Sequence, residues 1–301
     1  MKNGGRAEGP IHWFTVTNSS DSGIGVGSYT TNEMFKLLGK QDVMPNVARA
    51  IKQQELEFEL AVCKGYEAVL YNQKMISPTP EGRATVEAKY QANEQEIKRI
   101  EKDIADLEAK QREAKKNQEA QQTQSKESQP QANAIENQDL SQEETNLTKE
   151  LGYEISDTPG IKAHICTLMP KDENGKYVHT YNGKPAEVYV HSKVTIMDDV
   201  FTVISSANLN TRSMQVDTEL GIVMECGEVA EGLRKRLWNL HTNKNGAANP
   251  DDMHDYAVAM DTFEVWRKLI EANKKAQQNN QSPKCALREF YRADPTVSRS
   301  D

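Results

Sequence analysis

His191 and Lys193 are separated by one residue in the run Val190-His191-Ser192-Lys193-Val194-Thr195-Ile196-Met197-Asp198-Asp199. Along a strand the side chains alternate with a period of two, so this spacing predicts the imidazole and the ammonium on one face. A base or nucleophile beside a fixed cation suits displacement at a phosphoryl centre: the imidazole attacks or moves the proton, and the ammonium holds the non-bridging oxygens. Asp198, at the far end of the same predicted strand and beside a turn, is better placed to brace backbone than to react. A second cluster follows in Ile204-Ser205-Ser206-Ala207-Asn208. Ser206 and Asn208 share one side of an extended chain, and both offer hydrogen bonds to a phosphate oxygen. Glu219 opens the next predicted strand, where it would accept the second imidazole N–H, fix the tautomer and raise the basicity of His191.

Each of these residues alone has a plainer reading. A histidine on a strand is usually structural, a lysine two positions on is a solvated edge charge, and Ser-Ser-Ala-Asn is an ordinary turn with a helix cap. The joint pattern carries the weight, because only 6 of the 301 residues are histidine.

The elements that must hold these groups read as α/β material. A strand is predicted over 11–17, followed by a Ser, Asp and Gly loop over 18–27 and a helix over 31–38 capped by Thr30 or Thr31. The Gly23-Ile24-Gly25-Val26-Gly27 run lacks the spacing of a phosphate-cradling loop and reads as a flexible turn. Further strands are predicted over 162–169, 186–190, 194–197, 200–204 and 219–224, and helices over 229–241 and 261–275. The Arg234, Lys235 and Arg236 cluster reads as the solvated side of a helix. The expected architecture is a mixed sheet flanked by helices.

Composition divides the chain. Of its 301 residues 37 are basic and 45 acidic, a formal net charge of −8, and 37% are hydrophobic. Residues 81–150 hold 11 basic and 16 acidic residues, 11 Gln and one aromatic, Tyr90, so this stretch accounts for −5 of the −8. Val86, Tyr90, Ile97, Ile100, Ile104, Leu107 and Ala114 recur at 3–4 spacing with Asn93 and Gln111 in the gaps, which predicts a solvated helix with a coiled-coil-like seam. It would form a hairpin with a helix expected over 47–74. Beyond about residue 117 the Gln, Ser and Asn run predicts a linker too polar to order itself. The boundaries that follow are 1–76 for a first α/β piece, 77–150 for a long polar helical insertion, and 151–301 for the C-terminal piece. No run approaches a membrane span and no signal peptide is visible in the first thirty residues. The acidic balance makes nucleic acid an unlikely partner. Cys63, Cys166, Cys226 and Cys285 are scattered singly, which predicts neither a disulfide framework nor a zinc site.

The pattern H-x-K-x4-D, then S-x-N, then an acidic residue resembles the HKD signature of the phospholipase D superfamily, with matches at His191, Lys193, Asp198, Ser206, Asn208 and Glu219. Leu233-Arg234-Lys235-Arg236-Leu237-Trp238 is similar to the basic helix that follows the motif, and Thr15-Val16-Thr17-Asn18-Ser19 to a strand and loop that precede the second motif in bacterial members. Ser205 stands where that family usually has Gly. The layout, with its long polar insertion, is most similar to phospholipase D effectors of bacterial type VI secretion.

The resemblance implies hydrolysis of phospholipid head groups to phosphatidic acid at a membrane surface, through a phosphohistidine, with no metal or other cofactor. It also implies two HKD motifs per active site. His12, His164, His179, His241 and His254 are not followed two residues later by Lys, so one motif is present. The chain is therefore expected to be a C-terminal half that needs an N-terminal HKD half, with His191 as the second-motif general acid and base. A homodimeric single-motif nuclease in which a second copy completes the site, and a non-catalytic half that binds a partner, are the competing readings. A secretion apparatus and an immunity protein are the further partners implied, with the protein cytoplasmic in its producer and delivered to a target cell's periplasm.

Overall fold

The computed structural model describes residues 9–19, 28–127, 160–176, 178, 186–279, 281–292, 294 and 296–298. The predicted linker beyond residue 127 and the Gly23–Gly27 run lie outside the described residues. The chain divides into two compact units, residues 46–129 and the remainder.

Among its described residues the larger unit contains two three-stranded sheets. In the first, β1 (Ile11–Val16) runs parallel to β2 (Ile161–Leu168), and β2 pairs antiparallel with β6 (Leu287–Glu289). In the second, β3 (Lys193–Met197), β4 (Phe201–Ser205) and β5 (Gly221–Met224) form an antiparallel meander. Among the described residues the α-helices of this unit are α1 (Ser28–Leu37), the short α4 (Thr211–Gln215), α5 (Gly227–His241) and α6 (Tyr256–Gln278). Helix α1 begins three residues before its predicted start at Thr31. Helix α6 begins five residues earlier than its apolar pattern predicts, because the Asp255 carboxylate accepts from Ala257 N–H and caps it there.

Trp266 of α6 is the centre of the core. It is fully buried with Cys166, Cys285 and Leu287, and its indole N–H donates to the Ala248 carbonyl at 2.9 Å. Phe14 from β1 and Trp238 from α5 close on it with ring centroids 5.1 and 5.0 Å away. Aromatic side chains bury the most apolar surface per residue, so three from three elements fix how the first sheet and the two long helices pack. Asn273 of α6 completes the attachment, donating to the Leu287 carbonyl at 2.7 Å and accepting from Lys284 N–H at 2.8 Å.

The smaller unit is the hairpin of α2 (Pro45–Ile76) and α3 (Pro80–Glu127). Thr79 caps α3 and Pro80 occupies its first turn, where a missing N–H costs nothing. Helix α3 extends about ten residues beyond the point at which composition predicts a linker. On its predicted seam Asn93, Ile97, Ile100 and Leu107 are buried, and Leu56 and Leu70 of α2 are buried too. The polar gap at Asn93 is satisfied by a hydrogen bond to the Cys63 carbonyl at 2.9 Å. Lys64–Glu101 at 2.8 Å and a Lys74–Glu87 pair tie the two helices in antiparallel order. Thus α2, which composition assigns to the first α/β piece, groups with α3.

Candidate active site

The second sheet positions the motif. Strand β3 begins at Lys193, so His191 lies two residues outside the ladder. The predicted strand over 186–190 is an extended segment without a ladder, held by single bonds from Ala186 N–H to Val178 O at 2.7 Å and from Val188 N–H to Leu168 O at 2.8 Å. Its end is gripped by the loop after β1. The Asn18 side chain donates to Val190 O at 2.9 Å and accepts from Val190 N–H at 2.7 Å, standing in for a neighbouring strand. The Ser19 hydroxyl donates to Glu187 at 2.8 Å. Sequence reasoning found the Asn18-Ser19 loop but not this contact, which joins residues 172 positions apart.

The exposed His191 ring lies against Tyr189, centroids 6.0 Å apart at 24°, and its own carbonyl accepts from the Lys193 ammonium at 2.7 Å. Lys193 pairs with Ser205 across the β3–β4 ladder. The next residue, Ser206, donates its hydroxyl to the Glu219 carboxylate and accepts from Leu220 N–H at 3.0 Å. Hydrogen bonds from Ser206 and then Ser213, with a smaller contribution from the nearby Lys193 charge, hold the Glu219 carboxyl below its ordinary range. Glu219 is therefore ionised and occupied by two hydroxyls, and among the described residues it receives no hydrogen bond from His191. Asn208 is exposed on the loop before α4, which is capped by Asn210. The structure thus brings Lys193, Ser206 and Glu219 together, with His191 joined to Lys193 through its carbonyl.

Ser205, at the position of the expected Gly, is accommodated by its neighbour. Gly221 pairs with it across the β4–β5 ladder, and a Cβ at 221 would come within 3.1 Å of the Ser205 Cβ. The Ser205 hydroxyl accepts from Ala207 N–H at 2.9 Å and so shapes the loop that carries Ser206.

Asp198 and Asp199 form the β3–β4 turn, both with left-handed backbone at φ 49° and 53°. Asp is among the few residues that adopt this conformation readily. Asp198 is exposed, whereas Asp199 is 2% exposed and receives three hydrogen bonds of 2.7 to 2.9 Å from Arg234 of α5. Arg234 also donates to Asn249 at 2.8 Å and lies 5.2 Å from the Trp238 ring. The expectation of a solvated basic cluster is corrected here: Arg234 is 4% exposed and anchors the motif turn to the helix. The sequence signal for this was the adjacent Asp pair, of which only one side chain meets α5.

Among the described residues no three His, Cys, Asp or Glu converge as metal ligands, and no helix is long and apolar enough to cross a membrane.

Residues 134–255 match the phospholipase D family profile. Phospholipase D C of Dictyostelium discoideum is 29% identical over 129 residues, covering 36% of this chain and 8% of the relative. Phospholipase D zeta 1 of Arabidopsis thaliana is 28% identical over 143 residues, 42% of this chain and 13% of the relative. Phospholipase D2 of Bos taurus is 28% identical over 164 residues, 45% of this chain and 16% of the relative. The chain therefore spans a small part of each of these proteins. No solved structure matches it. The matched segment contains the His191, Lys193, Ser206 and Glu219 constellation, so the similarity to phospholipases D falls on the residues that form the candidate site.

Proposed function

We propose that this chain supplies one half of a phospholipase D-type active site that hydrolyses phospholipid head groups to phosphatidic acid. The observation that carries the reading is the placement of Lys193, Ser206 and Glu219 on one exposed edge beside uncovered apolar side chains. Leu220 is 82% exposed and Ile222 63%. A site built from a cation and acid–base groups has no use for bare leucine and isoleucine beside it unless another surface covers them.

In this reading the complementary N-terminal half brings the first H-x-K and its histidine attacks phosphorus. As the phosphorus–oxygen bond to the head group breaks, His191 as imidazolium gives its proton to the leaving alcohol. Neutral His191 then takes a proton from water, whose oxygen attacks the phosphohistidine and releases phosphatidic acid and the free histidine. Lys193 balances the charge on the non-bridging oxygens throughout. Glu219 supplies the negative charge near Lys193 and, through its bond from Ser206, holds the start of the loop to Asn208, and Asn18 fixes the backbone that enters His191. Export through a type VI system, against which a producer would need an immunity protein, is the delivery route that fits the chain's layout.

The test is turnover of phosphatidylethanolamine vesicles by the purified chain, alone and with an N-terminal HKD half. Turnover is expected only in the mixture, unaffected by chelator and abolished by His191→Ala or Lys193→Ala. Cleavage of plasmid DNA with vesicles left intact would overturn the lipid reading in favour of a single-motif nuclease. Unchanged turnover in His191→Ala would remove the mechanism.

A further inference from the structure

Helix α2 carries a second apolar face besides the one packed in the hairpin. Leu56 and Leu70 are buried on the hairpin side. Phe58, Val62, Tyr66, Val69 and Ile76 recur at 3–4 spacing on another face and are exposed, from 45% at Tyr66 to 79% at Ile76. At 100° per residue the centres of these two faces stand roughly 110° apart around the helix axis. The exposed face continues an apolar row whose N-terminal part, Met44, Ala48 and Ile51, is buried. The row covers its first turns and is left bare from Phe58 onward.

We propose that this face pairs with the same face of a second copy of the chain, the two α2 helices running antiparallel. The sequence along the face favours self-pairing over a charged partner. Glu55 lies on the row one turn before Phe58, and from Phe58 to Ile76 Glu59 is the only formal charge flanking it, while Glu57, Lys64, Glu67 and Lys74 lie on other sides of the helix. The positions 58, 62, 65, 69, 72 and 76 alternate in steps of four and three, as a two-helix seam requires. In the antiparallel register centred on residue 67, Phe58 of each copy meets Ile76 of the other, Val62 meets Asn72, and Val69 meets Gly65. At Gly65 a Cβ would find open space, so the approaching valine has room. Two aromatic rings, each covering roughly 150–250 Å² when buried, with three branched side chains and the flanking Ala61 and Ala68, approach the ~800 Å² per partner of stable interfaces. This pairing is independent of the phospholipase reading.

Sedimentation equilibrium of the full chain in the micromolar range tests it. Twice the 33.8 kDa chain mass is expected for the wild type and the single-chain mass for Val62→Glu. The double variant Val62→Glu with Asn72→Lys should recover the dimer, because each new carboxylate then faces the ammonium of the other copy. Residues 62 and 72 of one helix are about 15 Å apart along its axis and cannot pair within the chain. Far-UV circular dichroism should be the same for all three proteins, since both positions are exposed. A monomeric wild type, a dimeric Val62→Glu, or a loss that Asn72→Lys does not repair would each overturn the proposal. A monomeric wild type that floats with lipid vesicles would assign the face to a membrane instead.

Discussion

Asp198 and Asp199 are neighbours of the same type in the same turn, yet only Asp199 is enclosed with Arg234. Separating a buried ion pair by removing one partner leaves the other charge without compensation, at about 3–5 kcal/mol. Asp199→Asn is therefore expected to lower the urea midpoint by a cost of that order, and Asp198→Asn to change stability by no more than about 0.5 kcal/mol. Asparagine tolerates the left-handed backbone as aspartate does, so the comparison isolates the charge. Equal effects would show that the turn, and not the ion pair, holds β3 against α5. Arg234→Lys should behave like a loss, because an ammonium cannot reproduce the forked contact with one carboxylate and the further bond to Asn249. The motif spacing made His191, Lys193 and Ser206 visible in the sequence. It could not separate the two aspartates, because their difference lies in which one faces a helix 35 residues away.

The Asn18 contact is the element-scale counterpart. Among the described residues the segment entering His191 has no strand partner, and it is held by a side chain from the loop after β1. Removing that amide in Asn18→Ala leaves the Val190 N–H and C=O without their partner, at about 1–3 kcal/mol. The expected result is faster hydrogen exchange at Val190 with protection retained along β2; unchanged exchange at Val190 would show that the clamp is dispensable. At this scale much was legible. The strands at 11–17, 162–169 and 200–204 and the helices at 229–241 and 261–275 follow from apolar period and turn residues, and the structure places elements at each. The segment over 186–190 has a strand's composition but lacks a ladder among the described residues, where its backbone groups find only isolated partners. Composition splits α2 from α3 at Ser77-Pro78, whereas packing joins them, because the seam of α3 needs the buried leucines of α2.

For the molecule as a whole, two half-buried histidines set the response to acid. Burial holds His164 at about 4 despite its bond to the Phe263 carbonyl, and burial alone holds His241 at about 4, against an ordinary 6.5. Both are neutral when folded, while the unfolded chain protonates them near 6.5. Their contribution is complete above that value and is lost as pH falls from about 6.5 towards 4, by on the order of 2–3 kcal/mol each. Glu289, raised by burial, works in the opposite sense: its stabilising contribution is present below the ordinary carboxylate range and lost as pH rises through its folded value. The urea midpoint is expected to fall between pH 7 and pH 5, and His241→Gln to flatten that fall. A midpoint constant over this interval would mean that the two rings are hydrated.

The parallel pairing of β1 with β2 has a consequence in time. Val16 ends β1, and its partner strand begins at Ile161, roughly 145 residues later. At about 5–20 residues per second a ribosome takes on the order of 10–30 s to cover that distance. For that interval β1 waits with Trp13 and Phe14 unpaired, while the α2–α3 hairpin, built from near neighbours, can already close. Synthesis thus delivers the residues of the hairpin before those of the sheet that enters the site.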